Sequence, residues 1–179
     1  MDELTTPQQW GAYLREYAEL YVRSTRNKPE RAARPTWRDP ASEETVAATE
    51  ERLGVRFPRG FRSFLLTSDG WGDIGGWTVG GWVEFVFPCE EICWLREDDW
   101  GKDLIEDYED EEPAALMRRT LKVANGEDFW LLDPTDVGPD DEWAAYLFAL
   151  KYGEFKKFAG FAELFDDSRR ILDGDAADE

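Results

Sequence analysis

Ser42-Glu43-Glu44-Thr45-Val46-Ala47-Ala48-Thr49-Glu50-Glu51-Arg52-Leu53-Gly54-Val55-Arg56-Phe57-Pro58-Arg59-Gly60-Phe61-Arg62-Ser63-Phe64-Leu65 reads as two short helices joined by a tight bend. Ser42 is an N-cap residue, and Glu43 and Glu44 sit where the helix dipole favours negative charge. An apolar face runs from Val46 to Leu53, and Gly54 stops the helix. After the apolar pair Val55 and Phe57, Pro58 suits the start of a second helix, whose buried face is Phe61, Phe64, Leu65 and Ser68 before Gly70 ends it.

Toward the N-terminus a further helix opens at Thr6, with Pro7 at its first position and Gln9 completing a capping box. Its face Trp10, Tyr13, Leu14, Tyr17 and Tyr21 has the spacing of a core stripe. Between them Ser24 to Pro40 is polar and proline-punctuated, and reads as a linker with a local basic bias from Arg26, Lys28, Arg31, Arg34 and Arg38.

Toward the C-terminus the pattern changes to glycine-rich turns and short β-branched or aromatic runs. Gly76 to Val79 and Trp82 to Phe87 begin a sheet. Pro88 to Trp100 reads as a helical or turn excursion that carries Cys89 and Cys93. Glu97 to Glu112 holds ten acids among sixteen residues, a density tolerated only against water or a cationic partner. Leu121 to Ala124, then Asn125-Gly126, then Phe129 to Leu132 predicts a hairpin, with Glu127-Asp128 as candidates to lengthen its loop. Trp143 to Leu150 is a further strand. Phe158, Phe161, Ala162, Leu164, Phe165 and Ile171 predict a closing helix that Gly174 and the acidic tail terminate.

The chain has 179 residues, the usual size of one domain, with 42% hydrophobic and 15% aromatic residues, enough for an ordinary core. No apolar run is long enough for a membrane span, and Met1-Asp2-Glu3 opens no secretory leader, so the expected location is cytoplasmic. Two cysteines offer no disulfide framework, in keeping with a reducing compartment. A net charge of -19 disfavours direct nucleic acid binding and anionic membrane surfaces and favours a cationic partner.

The chain contains no histidine, the commonest general base, which argues against triad chemistry. Gly70-Trp71-Gly72-Asp73-Ile74-Gly75 matches the letters of a dinucleotide-binding loop. That loop needs a strand before it and a helix after it, the reverse of what stands here, so it reads as a helix-to-strand connection. Cys89 and Cys93 lack further cysteine or histidine ligands for zinc and read as inert thiols. Asp133-Pro134-Thr135-Asp136 and Asp140-Asp141-Glu142 lack the spacing of a calcium loop and read as solvated turns. No metal, cofactor or catalytic residue is expected.

The run from Ser42 through Glu50-Glu51-Arg52-Leu53-Gly54 and Pro58 to Phe64-Leu65, closing on Ser68-Asp69-Gly70, resembles the signature of the SUKH (Smi/Knr-like) superfamily. Val123-Ala124-Asn125-Gly126-Glu127-Asp128-Phe129-Trp130-Leu131-Leu132-Asp133 is similar to that family's central hairpin. Phe158-Ala159-Gly160-Phe161-Ala162-Glu163-Leu164-Phe165 is similar to its closing helix. The resemblance spans 42–165, leaving 1–41 as an N-terminal helix and linker and 166–179 as an acidic end within a single domain, 1–179. It implies an α+β fold, a mainly antiparallel sheet flanked by helices, and a bacterial immunity protein that neutralises a cognate protein toxin, such as a nuclease or deaminase, without being an enzyme. Two alternatives stay open: a regulatory or scaffold protein of the Smi/Knr type, and a carboxylate-based hydrolase with two acids across a pocket. For contacts with a partner the sequence nominates Asp69, Trp71 and Asp73 in one loop and Asp98, Asp99, Glu109, Asp110 and Glu111 in the acidic segment.

Overall fold

The computed structural model describes residues 4–26, 35–72, 74, 83–109 and 112–177. The expected strand at Gly76 to Val79, with Trp82, Asp73, Asp110 and Glu111, lies outside the described residues. Helix α1 (Pro7–Ser24) starts as its sequence dictates: the Thr6 hydroxyl accepts the Gln9 N–H at 3.3 Å, and the Gln9 side chain accepts from the Thr5 N–H at 3.1 Å. Ser42 caps α2 (Glu43–Leu53) through the Thr45 N–H at 3.0 Å, and Gly54 closes it at φ 70, a left-handed position that suits glycine. Helix α3 (Arg59–Leu65) has no cap from its own chain neighbours. Its cap comes from far along the sequence, where the Glu142 carboxylate accepts the Gly60 N–H at 2.7 Å.

The strands are β1 (Thr36–Trp37), β2 (Trp71–Gly72), β3 (Val83–Val86), β4 (Cys93–Trp94), β5 (Leu121–Gly126), β6 (Phe129–Val137), β7 (Trp143–Ala149) and β8 (Glu154–Phe158). All described pairings are antiparallel, in the order β1-β2-β3-β5-β6-β7-β8, with β4 following β3 along the same edge of β5. A 3-10 turn (Leu95–Glu97), α4 (Asp99–Asp107) and α5 (Glu112–Arg119) lie between β4 and β5, and α6 (Phe161–Ala177) closes the chain. The α+β architecture with a mainly antiparallel sheet flanked by helices is as the resemblance implies.

Each face of the sheet has its own core. On the first, α1, α3 and α6 bring Trp10, Tyr17, Phe61, Phe64, Phe161 and Phe165 against Trp130 and Leu132. On the second, α4 and α5 cover Phe129, Leu131, Tyr146 and Phe148 with Leu95, Ile105 and Met117. Period-two alternation fixes which residue faces which side. The row Phe85, Asn125, Phe129, Phe148, Phe155 points to the second face, and the row Trp94, Leu121, Leu132, Ala145, Phe158 to the first.

Several local expectations need correction. Asn125 and Gly126 are strand residues, Asn125 opposite Phe129 and Gly126 opposite Val83, and the turn falls on Glu127-Asp128. A third strand on the far side of β5 rewards extension of the ladder over an early turn. Cys89 lies in a turn and Cys93 in β4, not in a helix, because Cys93 and Trp94 pair with Lys122 and Leu121. Asp133-Pro134-Thr135-Asp136 belongs to β6, bulged where its register against β7 shifts between Asp133 and Val137. The linker contains the edge strand β1. Glu154 to Phe158 is a strand, so the closing helix starts at Phe161, and it runs through Gly174 to Ala177 with Leu172 buried on its inner side.

Candidate interaction surface

The acidic segment is a roof over the second face of the sheet. Gly101, Leu104, Ile105 and Tyr108 recur at the spacing of one helix face and turn inward, while Asp99, Asp103, Glu106, Asp107 and Glu109 face solvent. Asp98 starts α4: one carboxylate oxygen accepts the Gly101 N–H at 2.9 Å, and the other meets the Lys122 ammonium at 3.2 Å. Lys122 is only 4% exposed, and its Nζ also lies 4.0 Å from the centre of the Phe129 ring. A buried ammonium thus ties the first turn of α4 to the middle of the sheet. A side chain at Gly101 would collide with the Leu95 carbonyl, so glycine permits the close approach of helix and 3-10 turn. At the other end the Tyr108 hydroxyl lies against Gly153 in the β7–β8 turn, at φ 66, where an added Cβ would come within 2.5 Å of it.

Trp100 stands beside this anchored face. Its ring is edge-on to Phe129 with centroids 5.4 Å apart, yet the residue is 51% exposed. Asp103 and Asp107 follow one and two turns along the same edge of α4. Lys102 pairs with Asp99 at 2.8 Å and holds that carboxyl below its ordinary range. The Arg96 guanidinium is folded over the Trp94 ring and donates to the Arg118 carbonyl, so it does not neutralise the acids of α4.

Among the nominated residues, Asp99 and Glu109 lie exposed on this surface. Asp98 is engaged in capping and in holding Lys122. Asp69 is half-buried and accepts the Cys89 N–H at 2.7 Å, bracing the turn after β3. Trp71 is 1% exposed and packs its ring against Tyr17, Phe165 and Trp37. The expected loop contact therefore has a core tryptophan at its centre. The sequence nomination omitted Trp100, although the spacing of Gly101, Leu104, Ile105 and Tyr108 already marks an amphipathic helix with Trp100 on its margin.

A cleft of about 420 Å³ opens between α3, the β6–β7 turn, β8 and α6, lined by Arg59, Asp136, Asp140, Glu142, Lys157 and Glu163. Three of its four carboxylates have structural partners. Glu142 caps α3, and Glu163 accepts the Ala159 N–H at 2.7 Å. Asp136 takes hydrogen bonds from Lys157 at 2.6 Å and Tyr146 at 3.0 Å, and Lys157 holds its carboxyl below the ordinary range, the opposite of what a general acid needs. Behind it Asp133 is fully buried and satisfied by Arg119 and by the Thr135 N–H and hydroxyl. Among the described residues no three acids or cysteines gather as a metal site, and no helix is long and apolar enough to cross a membrane.

The family model of SMI1 / KNR4 (SUKH-1) matches residues 40–167, from three residues ahead of α2 into α6. No curated protein matches the chain.

Proposed function

The chain belongs to the SMI1 / KNR4 family (SUKH-1), and from that premise we propose that it is an immunity protein that binds a cognate toxin with a basic surface and neutralises it as a stoichiometric complex. The observation that carries this reading is the α4 surface: exposed acids on a helix fixed to the sheet at both ends, with a half-exposed tryptophan on its margin. Nuclease and deaminase surfaces that hold nucleic acid are cationic, so this charge steers the two proteins together and covers what the toxin needs for its substrate. Fixing the acids on a helix rather than a loose tail lowers the ordering cost of the complex.

The test is affinity capture from the native bacterium at low and high salt, followed by co-expression of each retained basic protein with and without this chain. The reading expects a salt-sensitive partner that arrests growth alone and is silenced in an equimolar complex. Partners whose expression is harmless, or equally harmful in its presence, would overturn it.

A further inference from the structure

Among the described residues, the cover on the second face of the sheet is partial. The helices α4 and α5 lie over the β5–β8 half, while on the β1–β3 half Phe85 is 48% exposed and Thr36 is exposed beside it. Phe85 and Phe129 flank Asn125 in one cross-strand row, so they lie about 10 Å apart, two strand spacings. Trp100 rests edge-on against Phe129 and forms the wall where the roof begins. Gly72 lets Thr36 and Phe85 close over it: an added Cβ would come within 2.9 Å of the Thr36 Cβ and 3.5 Å of the Phe85 ring. The two exposed aromatics, Phe85 and Trp100, form an aromatic ledge on this face, with Asp103 one turn along α4 from Trp100.

Two occupants suit an apolar ledge of this kind, a second copy of the chain or another protein. A net charge of -19 on each copy sets two copies against one another. We propose that the ledge receives an arginine-bearing loop of the partner protein, one guanidinium stacking on Trp100 and donating to Asp103, and the loop's apolar part lying on Phe85. This deepens, and rests on, the reading of the chain as a protein-binding module. Arginine fits better than lysine because a planar guanidinium stacks on an indole while its edge still reaches a carboxylate, whereas an ammonium is a compact, strongly hydrated charge. The exposed aromatics supply the anchor and the acids the selection of sign.

The experiment uses the ¹⁵N-labelled full chain and two blocked pentapeptides of equal charge, Arg-Gly-Arg-Gly-Arg and Lys-Gly-Lys-Gly-Lys. The Trp100 indole signal is identified by its loss in Trp100→Phe. The arginine peptide is expected to shift that signal and the Phe85 amide, and to bind several-fold tighter than the lysine peptide. Trp100→Ala with Phe85→Ala should weaken it at least tenfold, while unmoved amide signals in α1 and α6 show that the fold is kept. Shifts confined to other surfaces, equal affinity for the two peptides, or full binding by the double variant would each overturn the ledge. A toxin neutralised equally well by the double variant would also remove the ledge while leaving the immunity reading intact. A ledge that binds the arginine peptide in a chain that silences no toxin would leave the ledge standing and remove that reading.

Discussion

On one side of the sheet Phe165 sits fully buried among the rings of Trp10, Tyr13, Tyr17, Phe64, Trp71, Trp130 and Phe161. On the other, Phe129 is covered by an exposed tryptophan and a lysine ammonium beneath a helix whose outer surface is carboxylate. The first side is closed by ring packing with polar tips satisfied in place, Trp10 Nε1 donating to the Gly60 carbonyl and the Tyr13 and Tyr17 hydroxyls to Asp166 and the Ile74 carbonyl, and it secures the fold. The second is closed by a few polar anchors, which hold a charged helix in one position. Stability and a charged display are thus assigned to opposite faces, and a change to one need not disturb the other.

The sharpest way to break the first face is Phe165→Ala, which removes a ring from the centre of the cluster. The expected loss is about 3–5 kcal/mol, read as a lowered urea midpoint, and a loss below about 1 kcal/mol would mean that the aromatic cluster is not the seat of stability. Gly101→Ala strikes the second face. It should release α4 at a cost of about 2–3 kcal/mol, with hydrogen exchange rising in α4 and in neighbouring β4 while α1 and α6 stay protected. Equal loss of protection on both faces would show that they unfold as one unit.

Asp98→Ala removes both the cap of α4 and the partner of a buried ammonium, so about 2 kcal/mol should be lost. Lys122→Met keeps the volume without the charge and should stay within about 1 kcal/mol of the parent. If the methionine variant falls as far as the alanine variant, the ion pair is a larger stabilising element than a tether. The last effect is absent at neutral pH and concerns the two thiols. Burial, reinforced by Asp69, pushes the Cys89 thiol up to about 12 from 9.0, and burial also raises Cys93. A thiol whose folded value lies above its unfolded one loses protons first in the unfolded chain, so stability is complete below pH 9 and declines as pH rises from 9 toward 12. The decline should be shallower in Cys89→Ala, and a thiol reagent should modify half-buried Cys93 before buried Cys89.

The elements that were legible in the sequence are those whose ends carry local chemistry. Thr6, Ser42 and Gly54 act in the structure in the roles their residue types assign, and Val46, Leu53, Phe61 and Phe64 are buried as their spacing requires. Elements specified by distant partners were not legible. Strand β8 reads Glu-Phe-Lys-Lys-Phe, which lacks β-branched residues and acquires its conformation from β7. Helix α3 takes its cap from Glu142, a residue 82 positions later, which no local pattern announces. Of the proposed interaction surface, the acidity of 97–112 was legible, and Asp99 and Glu109 are exposed there. The exposure of Trp100 and the burial of Trp71 were not legible, because each depends on what the tertiary structure lays across the ring.

The described sheet ends at β8, a strand with no neighbour beyond it and therefore a row of unpaired backbone groups open to any extended chain. Lys156 and Lys157 point to opposite sides of that strand, tethered to Asp167 and Asp136. An incoming strand would have to lie beside two ammonium groups that are already held in place. In a crowded solution, that arrangement discourages sheets from growing edge to edge into aggregates.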